Sequence, residues 1–195
     1  MRRTRISKQD ILQAAVRVIQ HRGAGALSVR TIATELGCST QPLYSQFGSQ
    51  EQLRQELAEY IRDTYVRFQY TSYKEFGLKF LFFARQESEL FCFLYLRRRA
   101  PDQTLLDDAN LEQTVELLAR NLEMTPQRAR EMHRQMQYHC YGLGVMIATG
   151  YRTMSDEQIG DELREFYSIM LRHYKQAASE EELQYWLARS RNLIL

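Results

Sequence analysis

Between Ser28 and Phe47 the sequence reads SVRTIATELGCSTQPLYSQF, two stretches of helical apolar spacing joined at Gly37. Each is far below the roughly 12–15 residues at which an isolated helix becomes even marginal in water. They must therefore pack on each other and on a neighbouring helix, which constrains the fold more than any other feature of the chain. Ser28 is placed to cap a helix over 29–36, with Leu27 and Ile32 at the staple positions on either side of the cap. Gly37 supplies a left-handed position after it. Ser39 reads as the cap of the second helix, with Cys38 and Leu43 repeating the staple. Pro42 then falls at N3, inside a first turn whose N–H groups have no intrahelical acceptor, so it stiffens the start and breaks nothing.

The rest of the chain has the same helical period. No stretch alternates apolar and polar residues over a useful length, and the three prolines are Pro42, Pro101 and Pro126. The chain reads as all-α. Ser7 and Asp10 form a capping box ahead of a helix whose apolar face is Ile11, Ala15, Val18 and Ile19, ending near Gly23. Ser49 with Gln52 opens a longer helix that the apolar spacing carries to about residue 68. Helices are expected over 73–85, 88–96 and 105–122, with a break at 97–102. Thr125 and Pro126 start one reaching 149, Ser155 starts one running to about 175, and a short one follows over 179–191. At 44% hydrophobic residues, the chain holds ample material for a core.

Charge is unevenly spread. Residues 1–54 hold eight Lys/Arg and three acids, a balance of +5, against −3 for the remainder. A basic head on a mildly acidic body points to a polyanion meeting the head alone. The cysteines Cys38, Cys92 and Cys140 are odd in number and show no CxxC spacing, which favours buried thiols in a reducing compartment. No apolar stretch follows the N-terminal arginines, so no secretory signal is expected. The longest uncharged run, 135–151, is too short and too rich in Gln, His, Gly and Tyr to span a bilayer. A cytoplasmic protein without membrane association is expected. His133 and His139 lie six apart, off the i,i+3 or i,i+4 spacing that sets two ligands on one helix face, so no metal and no other cofactor is expected. With no nucleophile elbow, phosphate loop or HExxH, neither is an enzyme.

The two short helices form a helix-turn-helix if their inward positions agree, and they do. Ala33, Leu36, Leu43 and Phe47 make the seam. Gln41 and Ser45 then point outward, with Thr40 and Tyr44 along the flank, a polar, uncharged set suited to base edges and phosphates. Any helical hairpin in a bundle remains the plainer reading of the seam alone. Ile11-Leu12-xx-Ala15, Gly23, Leu27-Ser28-Val29-Arg30-Thr31-Ile32-Ala33, Leu36-Gly37-Cys38-Ser39, Leu43-Tyr44-xx-Phe47 and Ser49 through Leu53 together resemble the DNA-binding domain of the tetracycline-repressor (TetR) family of transcriptional regulators. The resemblance implies a three-helix DNA-binding domain over 1–54, a connecting helix from about 50 to 68, and a larger helical effector-binding and dimerisation domain over 69–195. It implies that Gln41 reads a base edge, that Thr40 and Pro42 touch thymine methyls, and that Tyr44 holds a phosphate. Ser28 and Arg30 would meet the backbone, Ser39 and Ser45 would complete the face, and Arg3 and Arg5 would belong to an arm entering the minor groove. Gln50 stands where a lysine is common, which leaves that phosphate contact neutral.

A repressor released from a near-palindromic double-stranded operator by a small-molecule effector is what the resemblance implies, acting as a homodimer. The alternative is a helical protein-interaction or metal-sensing module with a basic head. The dimer face is expected on helices 126–149 and 155–175, through Gly142, Leu143, Gly144, Met146, Ile147 and Ala148 and through Ile159, Leu163, Phe166, Tyr167 and Met170. An apolar or aromatic effector is expected against some of Phe76, Phe80, Phe83, Tyr95 and Tyr138.

Overall fold

The computed structural model describes residues 6–67, 72–97 and 111–191. Arg3, Arg5 and the first part of the helix expected over 105–122 lie outside them. Every regular element among the described residues is helical, and the chain divides into two units, Met1–Arg67 with Gln86–Arg98 and Phe68–Arg85 with Arg99–Leu195. The chain thus passes between the units three times. The expected split at residue 69 missed the return of 86–98 to the first unit.

The first unit opens with α1 (Lys8–Arg22), started by the Ser7–Asp10 capping box. After a 3-10 turn over Ala24–Ala26 come α2 (Val29–Glu35), α3 (Gln41–Gln46) and α4 (Gln50–Ile61). α1 buries Leu12, Ala14 and Val16 besides its expected stripe of Ile11, Ala15, Val18 and Ile19. The reason is that α2, α3 and α4 pack on it together with a helix from further along the chain, α6 (Ser88–Tyr95). Gln20 Nε2 donates to Glu87 Oε2 at 2.8 Å at the start of that helix, and a Cβ on Gly23 would stand 3.0 Å from Glu89 Oε2. Fully buried Ile11, Ile32, Leu43, Leu53, Leu57, Ile61, Leu90 and Phe91 make the core, each contributing about 1.5–3 kcal/mol.

The helix expected to run to residue 68 stops being α-helical at Ile61. Arg62–Val66 widens into a π turn closed by Arg67 N–H to Arg62 O at 2.8 Å. Ion pairs of Arg62 and Arg67 with Glu59, and of Arg67 with Asp63, clamp that turn.

The second unit contains α5 (Tyr73–Gln86), α7 (Leu111–Asn121), α8 (Pro126–Ala148), α9 (Asp156–Lys175) and α10 (Glu180–Arg191). Thr125 caps α8 with Pro126 at its start and Ser155 caps α9, both as expected, and Gln158 closes a capping box with Ser155 that the sequence reading did not name. Asp156 and Glu157 in the first turn of α9 and Arg172, His173 and Lys175 in its last turn match the helix dipole. α7 packs on α8, α8 on α9 and α9 on α10, around Leu118, Leu122, Met132, Met136, Leu171 and Leu183. At Gly77, α5 passes so close that an added Cβ would meet Leu163 Cδ1 at 3.2 Å and Cys140 Sγ at 3.6 Å. Arg85, near the end of α5, pairs with Asp156 and donates to Met154 O at 3.0 Å.

Candidate nucleic-acid interface and ligand cavity

The turn between α2 and α3 is closed by two backbone bonds, Gly37 N–H to Thr34 O at 3.1 Å and Cys38 N–H to Ala33 O at 3.0 Å. With Gly37 at φ +66, this is a Schellman ending, which satisfies two carbonyls of α2 while reversing the chain. α2 begins on a reciprocal cap that the sequence reading missed. Ser28 Oγ accepts from Thr31 N–H at 3.1 Å, Ser28 N–H donates to Thr31 Oγ1 at 3.0 Å, and the Thr31 hydroxyl donates to Ala26 O at 2.8 Å. Thr at the N3 position of a Ser cap was the available signal, overlooked because Glu or Gln is the usual partner there.

Two expected caps differ from the structure. The N-cap of α3 is Thr40, at φ −74 and ψ −12, without a side-chain bond, so Pro42 stands one position earlier than Ser39 capping implied. The Schellman turn consumes Cys38, and Thr40 already has helical angles, its carbonyl accepting from Tyr44 N–H at 3.3 Å. Pro42 still lies in the first turn, where its missing N–H costs nothing. At α4, Ser49 Oγ accepts from Gln52 N–H at 3.0 Å, but Gln52 Oε1 reaches back to Gly48 N–H at 3.1 Å and leaves the Ser49 box open.

Leu43 and Phe47 are buried to 1% and 3% exposure, so the opposite side of α3 is turned outward. Gln41, Tyr44 and Ser45 are exposed, Tyr44 to 65% and beyond the flanking place expected for it, while Thr40 and Pro42 are half-buried. The Ser45 hydroxyl donates to Pro42 O at 2.9 Å and keeps its acceptor capacity. No charged residue occurs between Gln41 and Gln50. Arg30 is exposed on α2, with no acid within ion-pair distance among the described residues, and Gln50 is exposed at the start of α4. Two other cations of the basic head are internally committed: Arg17 Nε lies 2.9 Å from Glu35 Oε1, and Lys8 pairs with Glu56 beside the Phe47 ring. The head's free positive charge is therefore smaller than its composition implies.

The second unit holds a cavity of about 730 Å3 between α5, α8, α9 and α10, within the range of small-molecule sites. Phe76 is the one residue of the expected aromatic set that lines it. Phe80 and Phe83 are buried in α5 away from it, Tyr138 is 60% exposed on α8, and Tyr95 belongs to the first unit, its ring 4.7 Å from that of Phe91. The remaining walls include Met136, Leu163 and Leu187, with polar groups set among them. The Tyr73 hydroxyl is 2.9 Å from Nδ1 of buried His133, and the Tyr167 hydroxyl donates to Ser190 Oγ at 2.8 Å, which donates on to Trp186 O. Burial pushes Tyr167 and Cys140 up to about 12, so both stay protonated. The signal for this lining was His133, Gln137 and Cys140 at i, i+4 and i+7 on one face of α8. Among the described residues, no three His, Cys, Asp or Glu side chains converge as a metal site, and no helix is long and apolar enough to cross a membrane.

Fold and exposed face together define a helix-turn-helix DNA-binding protein. Residues 11–57 match the family model of bacterial regulatory proteins, tetR family. Over that segment, about a quarter of the chain, the protein is similar to the DNA-binding domain of tetR-family transcriptional regulators. The crystal structure of a TetR-like transcriptional regulator from Rhodococcus sp. RHA1 has the same fold: it is 23% identical, with a TM-score of 0.60 over 86% of this chain and 95% of that one. A comparison with curated proteins finds no significant match.

Proposed function

We propose that the protein is a homodimeric repressor that a small molecule, bound in the second-unit cavity, releases from a near-palindromic operator. The observation that carries this reading is the position of α5. It lines the cavity through Tyr73, Phe76 and Gly77, and Glu87 alone separates it from α6, which packs on α1 and α4 of the DNA-binding unit. A ligand that displaces α5 thereby acts on the scaffold of the reading helix, and it shifts the equilibrium by its preference for the released state. A coupling of about 1–3 kcal/mol corresponds to roughly 5–150-fold weaker operator binding.

On the DNA, Gln41 reads a base edge, Tyr44, Ser28 and Arg30 hold phosphates, and Thr40, Pro42, Ser39, Ser45 and Gln50 border the contact. Two copies of one reader set half-sites about 10 bp apart or a multiple of it. Leu143, Gly144, Ile147, Ile159, Leu163 and Met170 are buried within the chain. The surface of α8 and α9 left to a second copy therefore centres on Tyr138, Ile169 and exposed Gly142, where an added Cβ would meet nothing within 4 Å.

The test is to select DNA with the purified protein and repeat the selection with Gln41→Ala. Loss of preference at one base position per half-site, at a cost of about 1–3 kcal/mol, is expected, with Tyr44→Phe weakening all sequences alike. An unchanged sequence preference in Gln41→Ala removes the base-reading role, and a monomer by sedimentation at micromolar concentration removes the paired operator.

A further inference from the structure

The charge of the cavity lining points to a more specific occupant, and this step rests on the cavity being the effector site. Among the described lining residues there is no aspartate or glutamate, whereas Lys74 and Arg164 both reach it. Lys74 is exposed, has no acid within ion-pair distance among the described residues, and lies over α9 with Nζ 3.7 Å from where a Cβ on Gly160 would stand. Arg164 Nη1 is 3.2 Å from Asp161 Oδ1, with both side chains at least 60% exposed. Such a solvated pair holds little energy and yields readily to a better partner. The carboxylates of Asp156, Glu157 and Asp161 line a neighbouring shallow cleft that the same two cations also border, and are not among the described residues lining the cavity itself. Inside, the protonated Tyr167 and Cys140 add no negative charge.

We infer that the cavity takes an amphipathic anion, an apolar or aryl-alkyl body ending in a carboxylate or comparable acid. The body lies against Phe76, Met136, Leu163 and Leu187, and the anionic head meets Lys74 and Arg164 at the mouth. A cationic ligand finds no acid among the described lining residues and meets two like charges at the mouth. A neutral apolar ligand fits the walls but leaves the two cations unused. The Tyr73–His133 and Tyr167–Ser190 pairs select within this class, by accepting or donating one hydrogen bond to the body.

Trp186 is the single tryptophan of the chain, next to the lining residue Leu187, and its carbonyl accepts from Ser190. Its emission reports occupancy independently of DNA. The experiment titrates the full-length protein with 6-phenylhexanoate, 6-phenylhexan-1-ol and 6-phenylhexyltrimethylammonium, three probes with one body and different heads. The carboxylate is expected to bind at least about fivefold more tightly than the alcohol, and the ammonium most weakly. Lys74→Gln with Arg164→Gln, both at exposed positions, should remove about fivefold of carboxylate affinity and leave that of the alcohol in place. An alcohol or ammonium that binds as tightly as the acid overturns the anion assignment while the cavity stands as a ligand site. A double variant that keeps the full carboxylate preference overturns it too. Absence of binding by all three probes overturns both this inference and the effector role of the cavity.

Discussion

Gly37 shows how a single residue sets the spacing between two helices. At φ +66, and with open space where a Cβ would stand, Gly37→Ala adds no clash, only the backbone cost of a left-handed L-residue, about 1 kcal/mol. The expected outcome is a lower melting temperature with unchanged base preference in the folded protein; altered preference would mean that the turn has moved. His139 offers a second residue-scale test. Its ring stacks on Phe166 at 3.9 Å and 3°, and its buried Nε2 has no hydrogen bond, Glu162 Oε1 standing 3.7 Å away. Burial lowers its pKa below the ordinary 6.5, with Glu162 opposing the shift. The unfolded chain thus takes up a proton that the folded chain resists. Stability is complete above about pH 6.5 and declines as pH falls through the window beneath it. The lowered carboxylates Asp10, Glu56, Glu112 and Glu182 start from 3.8 or 4.5 and titrate below that window. Melting at pH 7.5 and 5.5 should show a larger acid loss in the native protein than in His139→Phe.

At the scale of elements, the short helices depend on their ends. Ser28→Ala opens the reciprocal cap of α2 and should cost about 1 kcal/mol. Ser39→Ala touches no cap and should stay within about 0.5 kcal/mol. Equal losses in denaturant titrations would place the start of α3 at Ser39 after all. Most helix starts were legible in advance, because a Ser or Thr cap and the first turn it serves are neighbours in the chain: the Ser7–Asp10 box, Thr125 with Pro126, and the Ser155 cap appear where the spacing put them. Thr40 displaced Ser39 because the Schellman turn of the preceding helix had already claimed the residues before it. The π turn after Ile61 was invisible for a related reason, since apolar spacing continues through Tyr65 while the backbone follows the ion pairs at Glu59 and Asp63.

For the whole molecule, the commitments of the basic residues determine how salt acts on DNA binding. A cation that neutralises a phosphate contributes about 0.9 to the slope of log affinity against log salt. Arg30→Gln should therefore flatten that slope by about 1 for each protomer on the operator. Arg17→Gln breaks an internal pair with Glu35 and should leave the slope as it was. A slope that responds to Arg17 and ignores Arg30 would show that a different face of the first unit meets the duplex.

Local chemistry in the sequence was enough to determine the all-helical class, most helix starts, the glycine turn and the uncharged outward side of α3, since each depends on residues within a few positions of one another. The matching of distant helices was decided by the tertiary structure alone. α6, some seventy residues beyond α1, covers the latter's second apolar side, and Tyr73 meets His133 sixty residues away. Helical period shows that Phe80, Phe83 and Phe76 turn inward, but not that Phe76 alone of the three lines the cavity of about 730 Å3. A cavity is a mismatch between surfaces contributed by several helices, so no single helix encodes it.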